Sequence, residues 1–506
     1  MDRKESPTGR GQSLGAFLAE HASLGAVSFH MPGHKGADFF VRNGYGEKIK
    51  RLAEWDITEI FGADNLFQPE SVIRRTMQKY ERLYETRRSY LLINGSSAGI
   101  IASILASVRR GGRLIMARNC HKSVFNALSL GGIEPVYLRP QVDDRYGVAA
   151  EVRACDVVAL LDSEPQAAAV ILASPNYYGI CSDIAAIARE THKRGKLLIV
   201  DQAHGAHLKF FANHAAALLR DPDHAKDGLR FPPPAEAQGA DLVINSTHKT
   251  LASFTQTAVL NVCSDRIDCS LLEDGLQMLQ SSSPSYPLMA TLDFNADLLA
   301  EKGLELMEQW RNDLLWFYEK AANIRGLSLM KGRLMDPSKI NLDMSACGLD
   351  GDRLERELIK RRIFPELVSG DIVMCMSGIG NSRSDYEKLL LALAGLSVRS
   401  KTAEIASDPR AAKAGGKTRA SLCAGADYAV QLEFCGIPKE RERISLEQAA
   451  GRVCAMSLIP YPPGIPLVCP GERLTEKTVS SLLALRQAGR KVIGVDEELC
   501  IWAGKA

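Results

Sequence analysis

Two stretches set the frame of this chain: Leu197-Leu-Ile-Val-Asp-Gln-Ala-His204 and Leu242-Val-Ile-Asn-Ser-Thr-His-Lys249. Each opens with a continuous apolar run and ends abruptly in residues able to do chemistry. A strand apolar on both faces is buried on both faces, which requires a parallel sheet with helices above and below. Working outward, Tyr90–Ile93, Arg113–Met116, Pro135–Leu138, Ala169–Ala173 and Ala258–Val262 are further β-rich runs. Helical stretches such as Ile184–Lys193 lie between several of them, and Ile100–Val108 reads as a helix stopped by Gly111-Gly112, after a small-residue loop at Gly95–Gly99. Strand, turn and helix repeated from about 88 to 262 predict an α/β domain whose ligands gather at the carboxyl ends of the strands.

The flanks divide the remaining residues. Residues 1–27 read as an arm, 28–295 as the large domain and 296–399 as a small α/β domain opened by a helix over Leu299–Ala322. The Ala-, Lys-, Gly- and Ser-rich stretch 400–420 reads as a linker. Residues 421–506 read as a C-terminal α+β domain, with Ser445–Ala455 helical and Lys491–Val495 a strand. A length of 506 residues accords with several domains.

Composition narrows the function classes. The chain is 46% hydrophobic and 24% charged with a net charge of only +2, so no polyanion is called for and no nucleic-acid partner is expected. No apolar run is long enough to span a bilayer, so no membrane partner is expected. The first residues, MDRKESPTGRGQS, lack the apolar core of a signal peptide, and a cytoplasmic location is expected. Twelve cysteines without a C-x-x-C pair read as reduced thiols rather than a disulfide framework.

Four segments follow predicted strands. Asn94-Gly-Ser-Ser-Ala-Gly99 brings small residues to a helix start, either as a phosphate cradle formed by Ser96, Ser97 and Ala98 or as a tight capped turn. Asn119-Cys-His-Lys-Ser123 offers His121, which would lie flat on an aromatic ring or merely cap a helix. Asp201, ending a buried strand, needs a cation; a protonated pyridine nitrogen would supply one, and no further carboxylate cluster completes a metal site. Ser246-Thr-His-Lys-Thr250 places Lys249 after another strand, as a surface lysine or as a buried amine suited to Schiff-base chemistry, with Ser246 and His248 beside it as phosphate ligands. Phosphate loop, ring stacker, strand-end Asp and strand-end Lys together meet the requirements of a pyridoxal 5'-phosphate (PLP) site.

These segments, together with His30-Met-Pro-Gly-His-Lys-Gly36, Asp56-Ile-Thr-Glu59, Ser283-Pro-Ser-Tyr286, Tyr461-Pro-Pro-Gly-Ile-Pro466 and Pro470-Gly-Glu472, resemble the ornithine/lysine/arginine decarboxylase family of fold-type-I PLP enzymes, in its shorter bacterial form. The resemblance implies an aspartate-aminotransferase-like fold and α-decarboxylation of a basic amino acid, in polyamine synthesis or acid resistance. It implies a homodimer or higher homo-oligomer. It gives Lys249 as the Schiff-base lysine, Asp201 as partner of the pyridine nitrogen, His204 beside the ring hydroxyl, His121 on the ring face, and Ser96, Ser97, Ser246 and His248 at the phosphate. Asp56 and Glu59, with Asp64, lie in an acidic loop that either meets a basic substrate or is simply solvated. His30–Gly36 is either a substrate loop or an irregular structural turn, and Ser283–Tyr286 either borders the site or is structural. Another PLP reaction (transamination or a different lyase step) and a non-catalytic PLP-binding regulator are the competing readings.

Overall fold

The computed structural model describes residues 23–60, 63–143, 145–212, 229–332, 334–403, 432–461, 466–487 and 489–505. A short strand β1 (Val27–Phe29) precedes the main sheet. That sheet contains β2 (Arg88–Leu92), β3 (Arg113–Ala117), β4 (Glu134–Leu138), β5 (Ala167–Ala173), β6 (Leu197–Asp201), β7 (Leu242–Asn245) and β8 (Ala258–Val262), in the order β2-β8-β7-β6-β5-β3-β4. Strand β8 runs antiparallel to both neighbours, and the pairings from β7 to β4 are parallel. Every residue of β7 and β8 is buried; the two polar ones, Asn245 and Asn261, both donate to Glu236. The expected α/β fold is therefore present, with each strand found within two residues of its predicted limits.

Several segments differ from expectation. Gly95–Gly99 is not a loop: the helix begins at Gly95 and runs to Ser107, the chain turning at Ile93-Asn94. Gly99 faces the sheet, where a Cβ would stand 2.5 Å from Leu92 Cδ1, so the small residues serve close helix–sheet packing. The predicted Leu299–Ala322 helix begins thirteen residues earlier and spans Tyr286–Ala321, across the 295/296 boundary. Ser283-Pro-Ser-Tyr286 is its start signal: the Ser285 hydroxyl accepts the Leu288 N–H at 3.4 Å, and Pro287 sits in the first turn, where a missing N–H costs nothing. The helix buries Leu292, Ala296, Leu299, Met307, Trp310, Leu314 and Phe317, the three-and-four spacing of one face. Ser445–Ala455 is not helical beyond one 3-10 turn at Leu446–Gln448. Its neighbour Arg441–Ser445 pairs antiparallel with Cys500–Gly504, and Cys454 donates its N–H to the Glu472 carbonyl, so partners distant in sequence set the conformation.

The second sheet contains β9 (Ser328–Leu329), β10 (Lys339–Asp343), β12 (Leu367–Ser369) and β13 (Ile372–Met376), in the order β12-β13-β10-β9. The intervening β11 (Ile363–Pro365) pairs with β1 instead. A helix over Arg383–Ala403 follows, so the expected linker starts inside it; 404–420 lies outside the described residues. The C-terminal unit has its own core of Leu446, Cys454, Leu458, Val468, Leu482 and Ile501. Its strand at Lys491–Ile493 lies where expected, whereas residues 462–465 of the Tyr461–Pro466 segment fall outside the described residues.

A buried ion pair joins this unit to the main sheet. Arg118, just past β3, donates to Glu472 Oε2 at 2.9 Å and to the carbonyls of Pro466 and Leu467 at 2.8 and 2.9 Å. Glu472 Oε2 also accepts the Cys469 N–H at 2.7 Å. Both side chains are almost wholly removed from solvent, 3% and 0% exposed.

Candidate active site

A cavity opens at the carboxyl ends of β2, β3, β5, β6 and β7, lined among others by Ser96, His121, Asn176, Tyr177, Asp201, His204 and Lys249. Strand β6 ends on Asp201, the first polar residue after its apolar run, and Lys249 follows β7 by four residues; both line the cavity.

Lys249 lies in a single helical turn, Thr247–Thr250, that follows β7. Its Nζ is 2.9 Å from His204 Nε2. Burial lowers the amine's pKa to about 8, the nearby Asp201 and Glu366 carboxylates opposing that fall and the Lys339 ammonium adding to it. The turn is held from behind. Gly33 donates its N–H to the His248 carbonyl at 2.8 Å, and Ile379 donates to the Thr250 carbonyl at 2.9 Å. A Cβ on Gly33 would stand 2.4 Å from the Thr250 carbonyl carbon, so only glycine allows this approach. The His30–Gly36 segment, open between substrate loop and structural turn, thus supports the lysine turn.

Asp201 is 5% exposed and accepts the Ala203 N–H at 3.1 Å. Burial raises its pKa, and the positive charge of Lys249 works against the rise. His204 is held neutral by burial first and then by Lys249; its ring packs on Tyr177 with centroids 4.5 Å apart. His121 caps the Lys122–Gly131 helix, its Nδ1 accepting the Ser123 N–H at 3.3 Å. Burial, assisted by Lys249, pushes His121 down to about 3, so it presents an uncharged ring to the cavity. The residue therefore both caps its helix and lines the cavity.

The other expected residues divide. Ser97, Ala98, Ser246 and His248 are next to the lining residues but not among them. His248 turns its Nδ1 to the Thr257 carbonyl at 2.7 Å, and burial takes it down to about 4. Asp56 and Glu59 stand on an exposed loop and do not line the cavity of this chain. Asp64 acts within the loop itself. Its carboxylate accepts the N–H groups of Asn65, Glu70, Ser71 and Ile73, tying the loop to the start of the Val72–Tyr84 helix. Tyr286 donates its hydroxyl to the Asp64 carbonyl at 2.6 Å and closes the same loop.

Sequence reading missed Asn176 and Tyr177, which follow β5 as the other site residues follow their strands. It also missed Glu366, between β11 and β12, which accepts from the Tyr177 hydroxyl at 3.0 Å and from the Met31 N–H at 2.9 Å. The Pro175-Asn-Tyr-Tyr178 run after an apolar strand was an available signal; Glu366 had none.

The residues fit PLP. The donor set has a buried amine, a buried carboxylate, an uncharged ring and a helix N-terminus beside Ser96. His204, which lines the cavity, has its Nδ1 fully buried without a hydrogen-bond partner among the described residues, and the Ser246 hydroxyl, three residues before Lys249, is likewise unpartnered.

The family profile for the major domain of Orn/Lys/Arg decarboxylases matches residues 13–340, and the profile for its C-terminal domain matches residues 432–500. The chain belongs to this family. It is 33% identical over 480 residues to YaaO of Bacillus subtilis, described as an uncharacterized protein, covering 92% of this chain and 93% of that one. It is 27% identical to an arginine decarboxylase of the same organism, covering 98% and 97%. Among solved structures, lysine decarboxylase A of Pseudomonas aeruginosa superposes with a TM-score of 0.71 at 22% identity, covering 97% of this chain and 80% of that one. A serine palmitoyltransferase of Sphingomonas wittichii shares the fold over 74% of this chain and 88% of that one, with a TM-score of 0.54 at 13% identity. The architecture is thus that of the fold-type-I PLP enzymes, and the family is one of PLP-dependent decarboxylases. No helix among the described residues is long and apolar enough to cross a membrane.

Proposed function

We propose that this family member decarboxylates a basic amino acid (arginine, lysine or ornithine) to its amine and CO2, with PLP held by Lys249. The observation that carries the reading is one buried cavity in which the Lys249 amine, the Asp201 carboxylate and the neutral His121 ring come from the ends of three different strands. Lys249 would hold the cofactor aldehyde, Asp201 the pyridine nitrogen, His121 the ring face, and Ser96 with the N-terminus of its helix the phosphate. When bound, PLP supplies an electron sink for the pair left at Cα when the carboxylate departs as CO2.

The chain's own residues do the rest. Asp201, unable to find water, is stabilised in its charged form by a cation and so favours a proton on the group it faces. Lys249 Nζ and His204 Nε2, 2.9 Å apart, can pass a proton between them, and either can deliver it at Cα. Tyr177 and Asn176 form a wall that limits water. Glu366, held by two hydrogen bonds behind the lining residue Tyr177, would offer its carboxylate to the far end of a cationic substrate. A homodimer, a cytoplasmic location and a role in polyamine supply or acid resistance complete the reading.

Purified protein loaded with PLP, given each of the three amino acids in turn, should release CO2 and the matching amine from at least one. Lys249→Ala should abolish release. Equal rates with the substituted protein, or an oxo acid as product, would reject the assignment.

A further inference from the structure

Directly behind the cavity lies a second ionic cluster: Asp336, Ser338 and Lys339, at the entry to β10, with His207, three residues past His204. All four are fully buried. Lys339 Nζ donates to the His204 carbonyl at 2.9 Å, to Asp336 Oδ2 at 3.2 Å and to Ser338 Oγ at 3.2 Å, so its three protons all have acceptors. His207 Nε2 lies 3.1 Å from Asp336 Oδ2, and its Nδ1 lies 3.1 Å from Thr250 Oγ1. The carboxylate can only accept, so Nε2 carries the proton and Nδ1 accepts from the Thr250 hydroxyl. Burial keeps His207 neutral against the pull of the Asp336 carboxylate, and the Lys339 ammonium opposes that pull. Asp336 therefore reaches both halves of the proton pair: the His204 main chain through Lys339, and the Lys249 turn through His207 and Thr250.

We propose that Asp336, His207 and Lys339 form a positioning centre that carries the second sheet's placement into the Lys249–His204 contact. The inference rests on the PLP reading above. A buried ion pair is weak evidence for stability, because well-packed apolar residues of similar volume often do as well; setting one arrangement is its better-attested use. Here the arrangement set is the 2.9 Å spacing of two atoms that exchange a proton. The Lys339 charge has a second effect, since it faces Lys249 together with Asp201, Glu366, His121, His204 and His248 and disfavours the protonated amine.

The test uses PLP-loaded full-length protein with Thr250→Val, His207→Leu, His207→Gln and the charge-free pair Asp336→Asn/Lys339→Met. Thr250→Val removes one hydroxyl at constant shape, so the proposal stays testable if His207→Leu fails to fold. Expected are a fall in kcat of about tenfold or more for Thr250→Val and His207→Leu with KM nearly unchanged. His207→Gln, whose amide both donates and accepts, should recover most of it. In the charge-free pair the pH midpoint of the yellow absorbance should move upward by about half a unit. Folded Thr250→Val with wild-type kcat and an unmoved midpoint in the charge-free pair would overturn the positioning role. Wild-type protein that never turns yellow or takes up borohydride label at Lys249 would instead overturn the PLP reading, and this inference with it. A yellow wild type that turns over none of the three amino acids leaves the midpoint shift as the deciding measurement.

Discussion

Glu472→Gln should loosen the C-terminal unit from the main sheet without unfolding the sheet. The wild-type carboxylate neutralises Arg118 in a place with almost no water and also accepts the Cys469 N–H. The amide keeps one acceptor oxygen but removes the charge. Arg118 would remain buried against the Pro466 and Leu467 carbonyls and the Phe125 and Tyr137 rings, 5.2 and 5.4 Å from the guanidinium. Breaking a buried pair on one side costs about 3–5 kcal/mol. If that cost falls on the docked state, opening becomes roughly a hundredfold to a few thousandfold more frequent. Amide hydrogen exchange reads this directly, because each amide reports the opening that exposes it. The Cys469 amide, held by the Glu472 side chain, should exchange faster by about that factor, while the amides of β5 to β7 and of the Arg441–Ser445 and Cys500–Gly504 pair, bonded within their own sheets, keep their protection. Arg118→Met/Glu472→Leu, which removes both charges, should recover most of the loss. Exchange within about threefold of wild type in Glu472→Gln would refute the argument, since the pair would then contribute nothing to docking.

The remaining predictions concern the site and its supports. The rate at which free protein captures PLP should rise with pH and level off above about 8, because the neutral amine is the nucleophile and burial lowers Lys249 to that value; a rise continuing toward the ordinary lysine range, followed by stopped-flow absorbance, would contradict it. Gly33→Ala must push the Lys249 turn aside, so a stability loss of about 1–3 kcal/mol by thermal melt and faster PLP loss on dialysis are expected. Asp64→Ala should cost about 1–2 kcal/mol by urea denaturation and leave kcat within about threefold, because its carboxylate serves backbone amides of the acidic loop. Glu366→Gln should raise KM for a cationic substrate far more than it slows PLP capture, measured by steady-state kinetics beside the capture assay.

Much of the large domain was legible because its signals are local. A strand buried on both faces must be apolar throughout, and a parallel sheet presents its chemistry where the apolar run ends. Asp201 and Lys249 follow from those two facts, and no observed strand of the main sheet departs from its expected limits by more than two residues at either end. The errors arose where distant partners decide. Arg441–Ser445 becomes a strand because Cys500–Gly504 lies beside it. The long helix is a different case: it starts at Tyr286 because Ser285 caps it, a local signal whose residues also suit the border of a site. The acidic loop shows a further limit: charge alone cannot tell a carboxylate that meets substrate from Asp64, whose oxygens are taken up by the chain's own amides.

The two sheets play different parts, and that division explains which residues were hidden. On the proposed reading, residues at the strand ends of the main sheet would supply the groups for a cofactor; their spacing is set by the backbone hydrogen bonds of that sheet. Groups from the second sheet and its loops approach from the other side: Glu366 beside Tyr177, Lys339 beneath His204, and the Gly378–Gly380 backbone against Gly33 and His34. None of these belongs to a strand-end pattern, so periodicity cannot reveal them. If cofactor chemistry resides in the first set and substrate fit in the second, exchange of residues around 366 between family members should change which amino acid is used while leaving PLP capture by Lys249 intact. A swap that altered capture and preference together would show that the two sheets cannot be separated in this way.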